Sequence, residues 1–330
     1  AYIYKRNGTT WGDEQKIVAS DKQAGDNFGA SVSLSGDYAI VGASNEDSYT
    51  GAAYIYKRNG TTWGDEQKIV TSDKQAYDQF GGSVSLSGDY AIVGTFAKDS
   101  YKGAAYIYKR NGTTWGDEQK ITASDREFYD QFGSSVSLSG DYAIVGVPSK
   151  DSYKGAAYIY KRNATTGVWG DEQKITASDK QAGDGFGSSV SLSGDYAIVG
   201  ASNEDSYTGA AYIYKRNGTT WGDEQKITAS DKQAGDQFGI SVSLSGDYAI
   251  VGAYGEYPGG TVAAGAAYIY KRNASGVWGD EQKITASDKQ DYDQFGYRIS
   301  LSGDYAIVGM FAKDSYTGAA YIYNINKTFV

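Results

Sequence analysis

The tetrapeptide Ala-Tyr-Ile-Tyr occurs seven times, beginning at Ala1, Ala53, Ala105, Ala157, Ala211, Ala267 and Ala320. Nearly the same block separates successive copies, so the chain is one unit written six times. Phe-Gly dipeptides at Phe28, Phe80, Phe132, Phe186, Phe238 and Phe295 keep the same phase, spaced 52, 52, 54, 52 and 57 residues apart. Residues 38–69 and 196–227 are identical. A period of this size belongs to solenoids, propellers or arrays, and it decides the fold before any residue-level chemistry. It also constrains function, because whatever one unit presents is presented about six times.

Within the unit that opens at Phe28, Ser31–Ser35 (SVSLS) alternates polar and apolar residues, the pattern of a half-buried strand. Gly36-Asp37 is a two-residue hairpin loop. Tyr38–Ala43 (YAIVGA) is almost wholly apolar, as expected of a strand covered on both faces. After the loop SNEDSYTG, Ala52–Arg58 forms a third strand with Tyr54 and Tyr56 on one face and Ile55 on the other. Asn59-Gly60 turns the chain into a fourth strand, Glu66–Val70. No segment has helical periodicity. Four antiparallel strands per unit and six units predict an all-β, six-bladed propeller, since solenoid coils have shorter periods.

Composition agrees and narrows the chemistry. The 31 Tyr, 44 Gly and only 2 Pro suit many short strands joined by tight turns. A net charge of −9 argues against nucleic acid or an anionic membrane as the main partner. No apolar run approaches the ~20 residues that span a bilayer. No signal peptide is visible, but the chain begins inside a repeat and so reads as a processed or trimmed N-terminus. Without Cys or His there is no zinc site, thiol nucleophile, Ser-His-Asp triad or imidazole base.

FGASVSLSGDYAIVGA followed by GAAYIYKR resembles the FG-GAP repeat, the blade unit of integrin α-chain propellers. WGDEQKITASD at Trp115–Asp125 is similar to the W…K-L/I-x-A-S-D segment of the bacterial and algal branch, and Pro148 restores the last Pro of the family name once. The resemblance covers essentially the whole chain and implies blades at about 28–70, 80–122, 132–176, 186–228, 238–285 and 295–323 of one domain. The last of these lacks its fourth strand. Residues 13–18 are expected to supply it and close the ring by pairing the terminal strands. Ala1–Arg6 then duplicates a position held by Ala319–Tyr323, and a spare strand invites pairing with another copy. Integrin-type repeats often carry a DxDxDG calcium loop between the first two strands. Here that loop is Gly-Asp in every unit, too short for a calcium shell of about 6–8 oxygens.

Strand alternation places the first-to-second and third-to-fourth loops at one end of each blade, and these barely vary. The other end carries the variation. There, Gly25 and Gly183 accompany Asn-Glu pairs ending in Glu46 and Glu204, whereas Tyr77, Tyr129 and Tyr292 accompany Lys98, Lys150 and Lys313. A cation–π pair between such a Tyr and Lys contributes about 0.5–1 kcal/mol when exposed. Whole-blade duplication would link the residues without any contact. These residues, with Tyr257 in the unique insert Gly255–Ala264, are the ligand-face candidates. Asp21, Asp26 and Asp47 could ligate calcium, although Asp more commonly caps turns. No other cofactor is expected.

Asn7, Asn59, Asn111, Asn163, Asn217, Asn273 and Asn326 each begin N-x-T or N-x-S. Asn-Gly alone is a hairpin signal. Asn163 and Asn273 are followed by Ala in lengthened loops and still keep the hydroxyl residue, which argues for glycosylation in an extracellular or cell-surface protein. One Trp per unit reads as packing rather than as a sugar platform. The leading expectation is a non-enzymatic glycosylated propeller of structural or adhesive role, able to form oligomers or fibres. The alternative is a multivalent lectin using the variable loops. A third reading makes the Gly255–Ala264 insert an active-site loop.

Overall fold

The computed structural model describes residues 1–257 and 262–327. Strands β1 (Tyr2–Asn7) and β2 (Thr10–Lys16) form a hairpin. The first blade is β3 (Phe28–Ser35), β4 (Tyr38–Ala43), β5 (Ala52–Asn59) and β6 (Thr62–Ile69), and the second is β7 (Ser83–Ser87), β8 (Tyr90–Thr95), β9 (Ala104–Asn111) and β10 (Thr114–Ile121). The third runs β11 (Ser135–Ser139), β12 (Tyr142–Val147), β13 (Ala156–Arg162), β14 (Trp169–Ile175). The fourth is β15 (Ser189–Ser193), β16 (Tyr196–Ala201), β17 (Ala210–Asn217), β18 (Thr220–Ile227), and the fifth β19 (Ser241–Ser245), β20 (Tyr248–Ala253), β21 (Ala266–Arg272), β22 (Trp278–Ile284). The sixth holds β23 (Phe295–Ser302), β24 (Tyr305–Met310) and β25 (Ala319–Asn324). Strands pair in chain order within each sheet, so the fold is a six-bladed β-propeller of antiparallel blades. Two compact units are formed, residues 1–141 with 162–170 and residues 142–161 with 171–330.

In the first unit the packing rule is clear between blades one and two. Tyr38, Ile40, Ala53, Ile55 and Ile69 of the first blade meet Phe80, Val84, Leu86, Tyr106, Tyr108 and Trp115 of the second. Tyr54 and Tyr56 point the other way, toward Ile17 and Ala19. The Tyr bodies are buried and their hydroxyls reach polar partners: Tyr54 donates to Asp21 at 2.8 Å and Tyr56 to Glu66 at 2.9 Å. The FG motif is a close approach of backbones. A Cβ on Gly81 (φ +91) would lie 2.3 Å from the Ala52 carbonyl oxygen, so no larger residue fits.

Every polar residue of WGDEQK has a role in the second blade. Trp115 meets the Tyr38 ring edge-on, with centroids 5.5 Å apart. Asp117, at φ 49, accepts from Asn111 Nδ2 at 2.8 Å. Glu118 accepts from the Ser72 amide and hydroxyl at 3.0 and 2.7 Å and from the Tyr108 hydroxyl at 2.9 Å. Gln119 clamps the Trp169 backbone, donating to its carbonyl at 2.6 Å and accepting its N–H at 2.9 Å. In the second unit, Gln173 and Gln225 clamp Trp221 and Trp278 in the same way.

Two expectations need correction. In the second blade SVSLS is not half-buried: Val84, Ser85 and Leu86 are all buried, whereas Ser137 and Ser191 of the third and fourth blades stay part-exposed. Alternation there separates an apolar face from a face of serines that bond the next strand. Ser33 Oγ accepts the Leu86 N–H at 3.0 Å and Ser35 Oγ accepts the Gly88 N–H at 3.2 Å. Second, residues 13–18 do not complete the last blade. β2 pairs with β1 (Tyr2↔Lys16 to Asn7↔Thr10), and the sixth blade stays three-stranded. A two-residue turn closes that hairpin at far less entropic cost than a pairing across the length of the chain. The second-to-third loops, expected only as loops, contain single left-handed turns. Asp47, Ser48 and Tyr49 have φ of 47, 59 and 63, and the pattern recurs at 99–101, 151–153, 205–207 and 314–316.

Candidate functional site

The variable loops are built around one position held by Glu46, Lys98, Lys150, Glu204, Glu256 and Lys313 in blades one to six. In the Glu blades the side chain turns to the Lys of the fourth strand. Lys68 Nζ bridges Glu46 Oε1 and Asp21 Oδ2, each at 2.6 Å, and Lys226 Nζ bridges Glu204 and Asp179 at 2.7 and 2.6 Å. Burial opposes the charge on Lys68, but its bonds to Asp21 and Glu46 hold its pKa above the ordinary Lys value. An ammonium therefore stands where the calcium candidate Asp21 would place a metal. Asp26 accepts the Gln23 N–H at 2.6 Å, a turn-capping bond, and Asp47 is exposed in its left-handed turn.

In the Lys blades the same position is buried and needs a counter-charge. Lys98 is 1 % exposed, and its Nζ bonds Asp78 Oδ2 at 2.8 Å and the Asp73 carbonyl. Lys313 bonds Asp293 Oδ2 at 3.3 Å and the Asp288 carbonyl at 2.7 Å. Lys150 is likewise buried. The expected Tyr–Lys cation–π contact is replaced by these ion pairs, because a desolvated ammonium gains more from a carboxylate than from a ring. The Tyr rings instead reach solvent. Tyr77 stacks on Tyr49 at 5.9 Å and Tyr129 on Tyr101 at 6.0 Å, while Lys102 lies 4.3 Å from the exposed Phe128 ring.

Tyr77, Tyr129 and Tyr292 adopt φ of 69, 68 and 66, where the sister blades have Gly25, Gly183 and Gly235 at φ 97, 98 and 93. A left-handed Tyr costs roughly 1–2 kcal/mol relative to the favoured backbone, and its exposed ring recovers only part of that by stacking. Tyr257 is exposed within the insert, of which residues 258–261 lie outside the described residues. Asp236 is the blade-five equivalent of the candidate Asp26; the sequence reading missed Glu256, because the insert hides its alignment with Glu46 and Lys98. Both are buried, and burial pushes both carboxyls above their ordinary range.

Asn7, Asn59, Asn111, Asn163, Asn217, Asn273 and Asn326 are all exposed. Asn59 Nδ2 donates to Asp65 at 2.7 Å, and the second hydrogen of that amide remains for a sugar. Asn163 and Asn273 cap their longer loops, accepting the Thr165 and Ser275 N–H groups at 2.9 Å. Thr328, the hydroxyl residue of the Asn326 sequon, lies outside the described residues. The Gly-Asp turns that replace the calcium loop are tied by ion pairs such as Arg58–Asp37 and Arg110–Asp89.

The fold is shared with proteins of distant sequence. It is similar to the periplasmic gluconolactonase of Pseudomonas aeruginosa at TM-score 0.58 and 15 % identity, covering 98 % of this chain and 92 % of that one. It is also similar to hydrazine synthase of Kuenenia stuttgartiensis at TM-score 0.55 and 12 % identity, covering 89 % and 83 %. At these identities the likeness concerns the fold alone. The FG-GAP repeat model matches six times, at residues 11–56, 63–108, 115–160, 169–214, 221–270 and 278–323. Those six matches cover most of the sequence, and the chain belongs to the FG-GAP repeat family.

Proposed function

We propose that this chain is a non-enzymatic, glycosylated extracellular propeller with a structural or adhesive role, and that copies associate head to tail. The observation that carries the reading is a pair of unmatched blade faces. Val32 and Leu34 of β3 are 60 % and 58 % exposed, whereas their counterparts Val84 and Leu86 are 8 % and 6 % exposed. On the opposite face of the sixth blade Ile307 is 41 % exposed, whereas Ile40, Ile92, Ile144, Ile198 and Ile250 are at 0 %. On the fifth blade, Gln282 Oε1 is buried without a hydrogen-bond partner, since the sixth blade has no fourth-strand Trp, while Gln67, Gln119, Gln173 and Gln225 each clamp a Trp backbone. The two faces are the two halves of the contact already made between neighbouring blades, so a second copy supplies what each lacks. A contact between two different faces is heterologous, so each copy can take a partner at either face.

Seven exposed acceptor asparagines support glycosylation and an extracellular setting. The test is sedimentation velocity of the intact chain across its accessible concentration range, with L34K blocking one face and I307K the other. The expected wild-type behaviour is concentration-dependent polymers. Either variant alone should be monomeric, and their mixture should stop at dimers. A wild-type monomer at every concentration would sink the proposal. The left-handed, solvent-facing Tyr77, Tyr129 and Tyr292 favour a second reading, a carbohydrate-binding surface in which these rings stack on sugars. Glycan-array binding abolished by their joint replacement with Gly would establish it in place of the first.

A further inference from the structure

Blade five buries two carboxylates where other blades bury an ammonium. The counterparts of Asp73, Asp78 and Lys98 in that blade are Asp231, Asp236 and Glu256. Asp236 is 1 % exposed and Glu256 5 %. Asp236 Oδ2 accepts the Gln233 N–H at 2.6 Å, and Glu256 Oε1 accepts from Lys283 Nζ, which also bonds Asp231 Oδ2 at 2.7 Å. Asp236 Oδ1 and Glu256 Oε2 remain buried with no hydrogen-bond partner. The backbone of the two segments is held together, Gly255 N–H donating to the Asp236 carbonyl at 3.1 Å.

The local charge shows what is missing. In blade two, Asp73 and Asp78 are balanced by Lys98 and Lys120. In blade five, Asp231, Asp236 and Glu256 face Lys283 alone, leaving two negative charges uncompensated. A buried, ionised carboxylate with an unpartnered oxygen costs several kcal/mol, which either protonation or a cationic ligand relieves. Blades one and four tolerate the same Glu because those side chains are 14 % and 15 % exposed, against 6 % for Glu256.

We propose that blade five binds one divalent cation of the hard, oxygen-seeking class between Asp236 Oδ1 and Glu256 Oε2, the two oxygens left without a donor, at the loop position where Lys98 and Lys313 bring an ammonium to the other carboxylate oxygen of Asp78 and Asp293. A double positive charge cancels the deficit, which a single shared proton does not. The Asp231 carbonyl is the third ligand by position, since its counterparts Asp73 and Asp288 give their carbonyls to Lys98 and Lys313. No group of three or more side-chain ligands exists among the described residues, so water completes the shell. The site lies apart from the first-to-second-strand turns, uses the blade-five equivalents of Asp21 and Asp26 together with Glu256, and does not depend on self-association.

The test is calorimetric titration of calcium chloride into the full chain after chelator treatment, with thermal unfolding in parallel. One site per chain is expected, with a rise in Tm on adding calcium. E256K restores the ammonium of the sister blades and should abolish both responses while keeping a Tm no lower than the metal-free wild type. D236N is an independent check, and E256Q should weaken binding about tenfold or more, since ligand charge sets calcium affinity. No heat and no Tm shift at about 10 mM calcium, beyond the ~10⁻³ M limit of weak extracellular sites, would overturn the proposal. Undiminished binding in E256K and D236N, or stabilisation by acid alone, would overturn it equally.

Discussion

Replacing Lys98 with Met would keep the aliphatic stem and delete the ammonium, leaving the Asp78 carboxylate buried without that donor. At 2.8 Å and an effective dielectric of ~20 the Lys98–Asp78 attraction is about 6 kcal/mol, a gain largely offset by the cost of desolvating both ions. The pair as a whole therefore adds little net stability, but breaking it does not return the cost of burying the survivor. Lys98→Met should lose about 3–5 kcal/mol, and adding Asp78→Asn should recover most of that. The exposed Arg58–Asp37 pair is the control: with side chains 46 % and 56 % exposed, Arg58→Met should cost no more than ~1 kcal/mol. Urea unfolding gives the stabilities. Hydrogen exchange should localise the loss to β7–β10, because repeat arrays couple chiefly to their neighbours. If Lys98→Met stays within about 1 kcal/mol of wild type, or Asp78→Asn fails to rescue it, the charge-pairing account of the variable loops is wrong.

Gln67→Ala removes both bonds to the Trp115 backbone, at 2.7 and 2.8 Å, and should cost about 1–3 kcal/mol in urea unfolding. Tyr77→Gly relieves a left-handed Tyr while giving up its stack on Tyr49, so stability should change by no more than about 1 kcal/mol; a clear loss would show the ring to be structural. Burial pushes Asp73 upward, but bonds from Lys120, Tyr106 and Thr71 outweigh it and hold the carboxyl well below its ordinary range. A depressed folded pKa contributes stability above the unfolded value of about 3.9 that is lost as pH falls through the folded value. Stability should therefore decline steadily below about pH 4, with a shallower decline in Asp73→Asn, as read by urea titrations at several pH values.

Much of the fold was legible because period and turn chemistry are local. The Gly-Asp turns, the apolar run at Tyr38–Ala43 and the Asn-Gly hairpins lie where those residues predict them. The burial of SVSLS was not legible, since alternation looks the same whether the polar face meets water or serine-accepted N–H groups of a neighbouring strand. The left-handed Asp47-Ser48-Tyr49 turn carries no glycine to announce it. Lys98 and Tyr77 vary together because they occupy one loop environment, yet covariation could not tell that the Lys turns inward to Asp78 and the Tyr outward to Tyr49.

By itself the sequence determined the number of blades, the strands within each and the face on which variation collects. Those follow from repetition and from hydrophobic and turn patterns that act within a few residues. Only the tertiary structure decided which charges are buried against which, and that β2 pairs with β1 rather than with β25. Those outcomes depend on which segments exclude water from one another, and a desolvated charge or strand edge takes the partner that packing leaves within reach.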